Sequence, residues 1–249
     1  MRPAFADHFS AHAADYARFR PTYPESLFDW IARSAPARHA AWDCGCGNGQ
    51  ATLPLAERFD QVIATDPSAE QIAQAPLHPR ISWRIAPAEA SGLDAVSIDA
   101  VTVAQALHWF DLPRFWAEVR RVVRPGGLVV AWSYGIPFLD DADATRPLRH
   151  FHDEVVGPFW PIERGHVDLR YQSIDFPFDR LAGPDIGLGA SWTMDQFAGY
   201  LQTWSATRRY IKAIGTDPVP GFVDQLRAWW GAGPRDVRWP LTILAGRVG

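Results

Sequence analysis

The chain has 249 residues, enough for one large domain or one domain with an insertion, and 47% of them are hydrophobic, which excludes a disordered chain. Lys+Arg 24 against Asp+Glu 28 gives a formal net charge of −4, without the basic footprint of a general nucleic-acid coat. The two cysteines, Cys44 and Cys46, sit between glycines, cannot build a disulfide framework and lack the partners of a structural zinc site. A reduced, cytoplasmic setting without metal is therefore expected. The start of the chain has no apolar stretch of a signal peptide, and no run approaches 18 apolar residues, so no membrane partner is expected.

In chain order, Ala6 to Phe19 reads as an amphipathic helix with Phe9, Ala13, Tyr16 and Phe19 on one face. Arg20-Pro21-Thr22-Tyr23-Pro24 breaks it, and a second helix runs from Pro24 to about Ala35. The pattern then shortens to strands: Ala40 to Asp43, Gln61 to Asp66, Ile81 to Ala86, Asp99 to Ala104 and Leu128 to Trp132. Helices are expected between them at Gln50 to Phe59, Ser68 to Ala75 and Leu112 to Val123, with a tight turn at Pro125-Gly126-Gly127. This alternation predicts an α/β fold with a doubly wound, mostly parallel sheet. Beyond Tyr134 the alternation loosens. Helices are expected at Asp143 to Val156, Thr193 to Thr203, Arg208 to Ile214 and Phe222 to Trp230. An edge strand is expected at Ile174 to Phe178 and a last strand at Trp239 to Val248. The organisation expected is a helical cap over 1–36, a cofactor-binding core over 37–134, and a helical lid or insertion over 135–249 with terminal strands that complete the sheet.

The strongest chemical signal is Asp43-Cys44-Gly45-Cys46-Gly47-Asn48-Gly49, between a strand and a helix. Alternate glycines let the backbone turn sharply and approach a ligand. The turn lies at the carboxyl end of a strand, where open α/β sheets bind ligands. A dinucleotide fingerprint would place its third glycine at Gln50, and a phosphate-cradling Walker loop would need a lysine, which is absent here. An acid opening the loop suits an ammonium or sulfonium better than a pyrophosphate. Asp66 follows the second strand, 17 residues after Gly49, at a spacing that suits ribose hydroxyls. Glu89 follows the third strand, so three acids point at one edge of the sheet.

With those residues in view, the chain resembles a class I S-adenosylmethionine-dependent methyltransferase, of the methyltransferase type 11 kind. Within that class it is similar to the small-molecule branch that includes trans-aconitate methyltransferase. The likeness rests on Asp43 to Gly49, Thr65-Asp66-Pro67-Ser68, Pro87-Ala88-Glu89, Gln105-Ala106-Leu107-His108-Trp109-Phe110 and Arg124-Pro125-Gly126-Gly127, with Phe9, Tyr16, Arg20-Pro21 and Tyr23-Pro24 before them. The resemblance implies a seven-stranded Rossmann-like sheet and S-adenosyl-L-methionine as cofactor. It implies that Gly45 and Gly47 border the methionyl group and that Asp43 helps hold its amino group. Asp66, with Pro67 beside it, takes the ribose; Ala88 and Glu89 lie by the adenine; Gln105 lies beside the sulfonium. It also implies that Tyr16 and Arg20 of the N-terminal cap close over the cofactor, and that His108 and Trp109 form the acceptor side.

Physical reasoning runs alongside. Trp109 and Tyr16 can face a sulfonium at roughly 0.5–2 kcal/mol each. His108 has an ordinary pKa near neutrality and could move or steer a proton. The Asn/Asp-Pro-Pro-Tyr motif of nucleobase and glutamine amino methyltransferases is absent, no Pro-Cys nucleophile is present, and Gln105 stands where a catechol-type magnesium ligand would be. That leaves metal-independent transfer to a small molecule, with methyl ester formation on a carboxylic acid as the reading carried from the relative. Arg18, Arg20, Arg164, Arg170, Arg208 and Arg209 could bind an acidic substrate through paired hydrogen bonds. The expected state is monomer or homodimer. Two rivals stay open: a cofactor-binding module without transfer activity, and a nicotinamide oxidoreductase.

Overall fold

The computed structural model describes residues 19–249. The expected first helix, with Phe9 and Tyr16, lies outside the described residues. Helix α1 spans Glu25–Ser34 and buries Leu27, Phe28, Ile31 and Ala32 on one face. The chain then alternates: strand β1 Ala40–Cys44, helix α2 Thr52–Ala56, strand β2 Gln61–Asp66, helix α3 Ala69–Ala73, strand β3 Ile81–Ile85 and strand β4 Ile98–Ala104. A short turn at Leu107–Trp109 leads to helix α4 Leu112–Val122 and the long strand β5 Val123–Tyr134.

After β5 come strand β6 Phe138–Leu139, helix α5 Ala142–His150, the one-turn helix α6 Gly165–Asp168, strand β7 Asp179–Leu181 and strand β8 Leu188–Trp192. Helices α7 Met194–Gln202, α8 Ser205–Ile214 and α9 Val219–Trp230 precede strands β9 Arg235–Trp239 and β10 Leu241–Arg247.

Seven strands form one sheet in the order β3-β2-β1-β4-β5-β10-β7. The first five are parallel, while β10 runs antiparallel to β5 and to β7. Parallel strands have both faces covered, which is why they read as apolar runs. Trp132 with Phe28, Phe197 and Trp230 belongs to the core on one side; Trp42 with Phe115, Val119 and Tyr171 belongs to the core on the other. Because β1 to β4 are parallel, the residues after each of them meet at one edge of the sheet.

Several expected elements differ. The helix expected over Gln50 to Phe59 is regular only over Thr52–Ala56, because Pro54 is tolerated only in a first turn. The Pro125-Gly126-Gly127 turn lies inside β5 as an irregularity, where pairing shifts from Ile98↔Val123 to Ala100↔Leu128. The expected strand over Ile174 to Phe178 is unpaired; Pro177 removes a ladder donor there, and the edge strand is instead β7. A second sheet, β6-β9-β8, was not expected. The helix expected over Asp143 to Val156 is regular only to His150 and continues as wider turns. Asp140, Asp141 and Asp143 read in the sequence as a solvated turn more than as a metal cluster; Asp141 caps α5 and accepts from the Trp229 indole at 2.8 Å, and Asp143 pairs with Arg146. Among the described residues no helix is long and apolar enough to cross a membrane.

One buried carboxylate joins three segments at the opposite edge. Asp99 accepts from the backbone N–H of His39 at 2.8 Å and of Ala40 at 2.9 Å, and pairs with Arg124. Replacing it strands two backbone donors and a guanidinium at once. Asp99→Ala is expected to lower unfolding free energy by about 3 kcal/mol in urea titration, with the fold retained.

Candidate active site

The glycine loop leaves β1 with Gly45, Gly47 and Gly49 all at positive φ, at 69°, 55° and 97°. The backbone N–H groups of Gly45 and Cys46 both donate to the Thr65 carbonyl, at 2.8 and 3.0 Å, which draws the loop over the end of β2. A Cβ at Gly45 would lie 2.7 Å from that of Ala106, so this loop and the one after β4 touch. Among the described residues, a Cβ at Gly47 would meet only the Gln71 amide oxygen at 3.8 Å, and the outer face of the loop is open.

Asp66 ends β2 under that open face. Its Oδ2 accepts from the Gly47 N–H and its Oδ1 from the Ser68 N–H, both at 2.9 Å. The residue is 8% exposed, with an orientation set by backbone. Pro67 follows it, and the Ser68 hydroxyl caps α3 at the Gln71 N–H. Asp43 lies deeper. Its oxygens accept from the Thr52 hydroxyl at 2.6 Å and the Thr102 hydroxyl at 2.9 Å, and none of it is exposed. Burial pushes its carboxyl up to about 6; the two threonine hydrogen bonds oppose that rise and the charge of Asp66 adds to it. The side chain expected to touch an amino group therefore sits beneath the loop. Ala88 is buried, and Glu89 accepts from the Asp111 N–H at 2.7 Å, tying the segment after β3 to the start of α4.

Gln105 leaves β4 in a left-handed conformation, φ 54°, which a side chain adopts only at some cost. Its N–H donates to the Trp132 carbonyl at 2.9 Å and its side-chain amide to the Tyr134 carbonyl at 3.2 Å, so the end of β5 holds the turn. Beyond Gln105 a cavity of about 50 Å³ opens. His108 and Trp109 line it from the turn after β4, and Tyr134 and Gly135 from the end of β5. Trp160 and Arg164 line it from the segment before α6, and Tyr200, Trp204 and Ser205 from α7 and α8. Arg20 completes the wall: it donates to the Tyr134 hydroxyl and the Thr203 carbonyl, both at 3.2 Å, and lies 5.3 Å from the Tyr200 ring centroid. The neighbouring Pro21 carbonyl accepts from the Gln50 side chain at 2.9 Å, which brings this stretch against the glycine loop.

Of the site residues expected from sequence, Arg20, Gln105, His108 and Trp109 come together around the cavity, and Gly45, Gly47, Asp66 and Pro67 form the adjoining loop pair. Ala88 and Glu89 follow β3, and Tyr16 lies outside the described residues. The structure changes the chemistry open to His108. Its Nδ1 lies 3.4 Å from the Tyr171 hydroxyl. Burial, then the positive charge of Arg164 and the proximity of His166, push its pKa down to about 3. It is a neutral imidazole near pH 7, not a base poised at neutrality. Of the six arginines singled out, Arg20 and Arg164 reach the cavity; Arg18 lies outside the described residues, Arg170 is exposed, Arg208 donates to the Gln202 carbonyl, and Arg209, half-buried in α8, does not line the cavity. Tyr134 and Trp160 went unassigned in the sequence, where a tyrosine at the end of a predicted strand was the available signal for the first; Tyr200 opens Tyr200-Leu201-Gln202-Thr203-Trp204-Ser205, the late stretch most like the family, without an assigned role.

Comparison with known proteins bears on this edge. Residues 42–131 match the family model described as a methyltransferase domain. A Dictyostelium discoideum protein that carries a methyltransferase name is 34% identical over 225 residues, 89% of this chain and 86% of its own length. An uncharacterized methyltransferase of Mycobacterium tuberculosis is 41% identical over 128 residues, 50% of this chain and 51% of its own. A solved structure from Anaeromyxobacter dehalogenans, described as a type II methyltransferase, is similar with a TM-score of 0.86 at 46% identity, covering 92% of this chain and 98% of that one.

The neutral His108 has a consequence for stability. Unfolding returns its pKa to about 6.5, so the unfolded chain binds a proton that the native state refuses. Its contribution is fully present above pH 6.5 and is lost as pH falls towards 3. His108→Gln is expected to flatten the acid dependence of unfolding free energy between pH 6.5 and 5. A wild-type slope unchanged in the variant, by denaturant titration at each pH, would contradict the buried neutral assignment.

Proposed function

The chain belongs to the class I S-adenosylmethionine-dependent methyltransferases, and from that premise we propose that it methylates a small molecule seated in the cavity beside Gln105. The accepting atom in this reading is a carboxylate oxygen and the product a methyl ester. The observation that carries it is the chemistry of the cavity wall: among the described residues it holds two arginines, no acidic side chain, and a histidine kept neutral. A wall without a base suits a nucleophile that arrives already ionised. An amine or phenol would need a group to take its proton; a carboxylate does not.

The glycine loop fits the cofactor. Among the described residues the face above Gly47 leaves room for a backbone-close ligand, and Asp66 is oriented by two N–H donors with its carboxylate at the end of β2, where a ribose would lie. In this reading Gly45 and Gly47 border the methionyl group, and Ala88 and Glu89 flank the adenine. Asp43 contributes negative charge from beneath the loop, through Thr52 and Thr102, instead of by direct contact. When bound, S-adenosylmethionine supplies a methyl on a positively charged sulfur, which an acceptor lone pair takes as the carbon–sulfur bond breaks and its electron pair stays on sulfur. The protein's share is to orient, to exclude water and to match charge. Gln105 holds the boundary between the two compartments, Trp109 and Trp160 exclude water, and Arg20 and Arg164 neutralise an anionic acceptor before transfer. His108 serves as a neutral hydrogen-bonding wall.

Two measurements test this. Asp66→Ala is expected to weaken S-adenosylmethionine binding by about 1–3 kcal/mol in calorimetry, since it removes a buried acceptor and frees the Gly47 and Ser68 donors. Incubation with methyl-labelled cofactor and a pool of small carboxylic acids is expected to give a labelled product that releases methanol in mild base. Label that survives base would move the accepted atom to nitrogen, carbon or a hydroxyl oxygen, and binding without any transfer would favour a cofactor-sensing module.

A further inference from the structure

Arg20 and Arg164 enter the same cavity with different commitments. Arg20 is tied by two hydrogen bonds to Tyr134 and Thr203. The Arg164 guanidinium lies 4.6 Å from the Trp160 ring centroid, its side chain is 16% exposed, and its Nε makes no hydrogen bond. Its one acidic neighbour, Asp168, sits four residues on along α6, 3.4 Å from Nε and itself 48% exposed. A guanidinium offers five N–H donors in a flat fork, and a buried cation with so little compensation calls for an anion. The flat Trp160 and Trp204 rings, 5.5 Å apart, bound the space in front of it.

We propose that Arg164 is the specificity-determining anchor of the acceptor site: a carboxylate seats on its guanidinium fork beside Trp160, and anionic acceptors are selected over neutral ones of the same shape. This rests on the carboxylate reading above for the identity of the bound group. Arg164 is assigned to recognition, while Arg20 holds the wall through Tyr134 and Thr203.

The experiment is calorimetry on protein loaded with S-adenosylhomocysteine, with benzoate, phenylacetate and crotonate as probes against benzamide, phenylacetamide and crotonamide. The wild type is expected to bind at least one carboxylate at least tenfold more tightly than its amide. Arg164→Gln is expected to erase that preference while S-adenosylhomocysteine affinity stays within twofold, and Arg164→Lys to keep part of it. Asp168→Asn keeps the arginine and removes its competitor, so it is expected to tighten carboxylate binding; this variant serves should Arg164→Gln fold poorly. No carboxylate preference in the wild type, a preference that survives Arg164→Gln, or carboxylate binding that Asp168→Asn leaves unchanged or weakens would each overturn the proposal. Carboxylates held through Arg164 without any base-labile methyl product would instead overturn the reaction assigned above and leave the anion site standing. Ester formation undiminished by Arg164→Gln would do the reverse.

Discussion

The hydrogen bond from the Gly47 N–H to Asp66, with the paired donation from Gly45 and Cys46 to the Thr65 carbonyl, fixes where the loop after β1 lies on the end of β2. Everything at this edge follows from it. The loop closes over Asp43, which must then be satisfied by Thr52 and Thr102, because no water reaches a side chain that is wholly buried. The contact with Ala106 at Gly45 sets how near the turn after β4 can come, and so places Gln105.

Two charge regimes adjoin across that turn. Asp43, Asp66 and Glu89 make one side acidic, which suits a cationic adenosyl group. Arg20 and Arg164 make the other side basic. The formal net charge of −4 reports neither, because each compartment is set by two or three residues. Gln105 is an apt divider: it is uncharged, and its amide is spent on the Tyr134 carbonyl. An acid there would pair with the arginines and neutralise the acceptor side.

The parallel half of the sheet was legible because its signals are local. Val62-Ile63-Ala64 and Val101-Thr102-Val103 are apolar runs that need no partner to be recognised as buried strands, and the glycines at 45, 47 and 49 mark a turn by their own backbone freedom. The ordered acids mark the same edge of the sheet by the same local logic. The far wall of the cavity obeys no such rule. Trp160 and Arg164 come from short, irregular segments, and Tyr200, although in the expected helix α7, lies far along the chain from Gln105. With 24 basic residues of which one, Lys212, is a lysine, arginine carries little information in this sequence; burial against Trp160 distinguishes Arg164. The small sheet escaped notice because β6 has two residues and β8 contains a glycine, an alanine and a serine, without the alternation that marks a half-buried strand. The pKa of His108 was beyond sequence reasoning altogether, since it depends on Arg164, 56 positions away, and on enclosure by Tyr171.

His108 is neutral first because it is buried, and the charge of Arg164 adds to that. A buried cation raises the cost of protonating any imidazole nearby, and enclosure removes the water that would screen it. A cavity that keeps Arg164 therefore cannot also keep a strong base at His108, whichever residue is considered first. In the proposed reading the acceptor is a nucleophile that is ionised before it enters, and the charge that adds to the burial of the histidine is the one that would stabilise it. An acceptor that had to be deprotonated inside would meet a weak base and would release its proton beside two guanidinium groups. The aromatic walls follow from the same constraint. Stacked on Trp160 and Tyr200, the arginines retain part of the stabilisation they lose with water, so the charge can persist in the dry space where methyl transfer would occur.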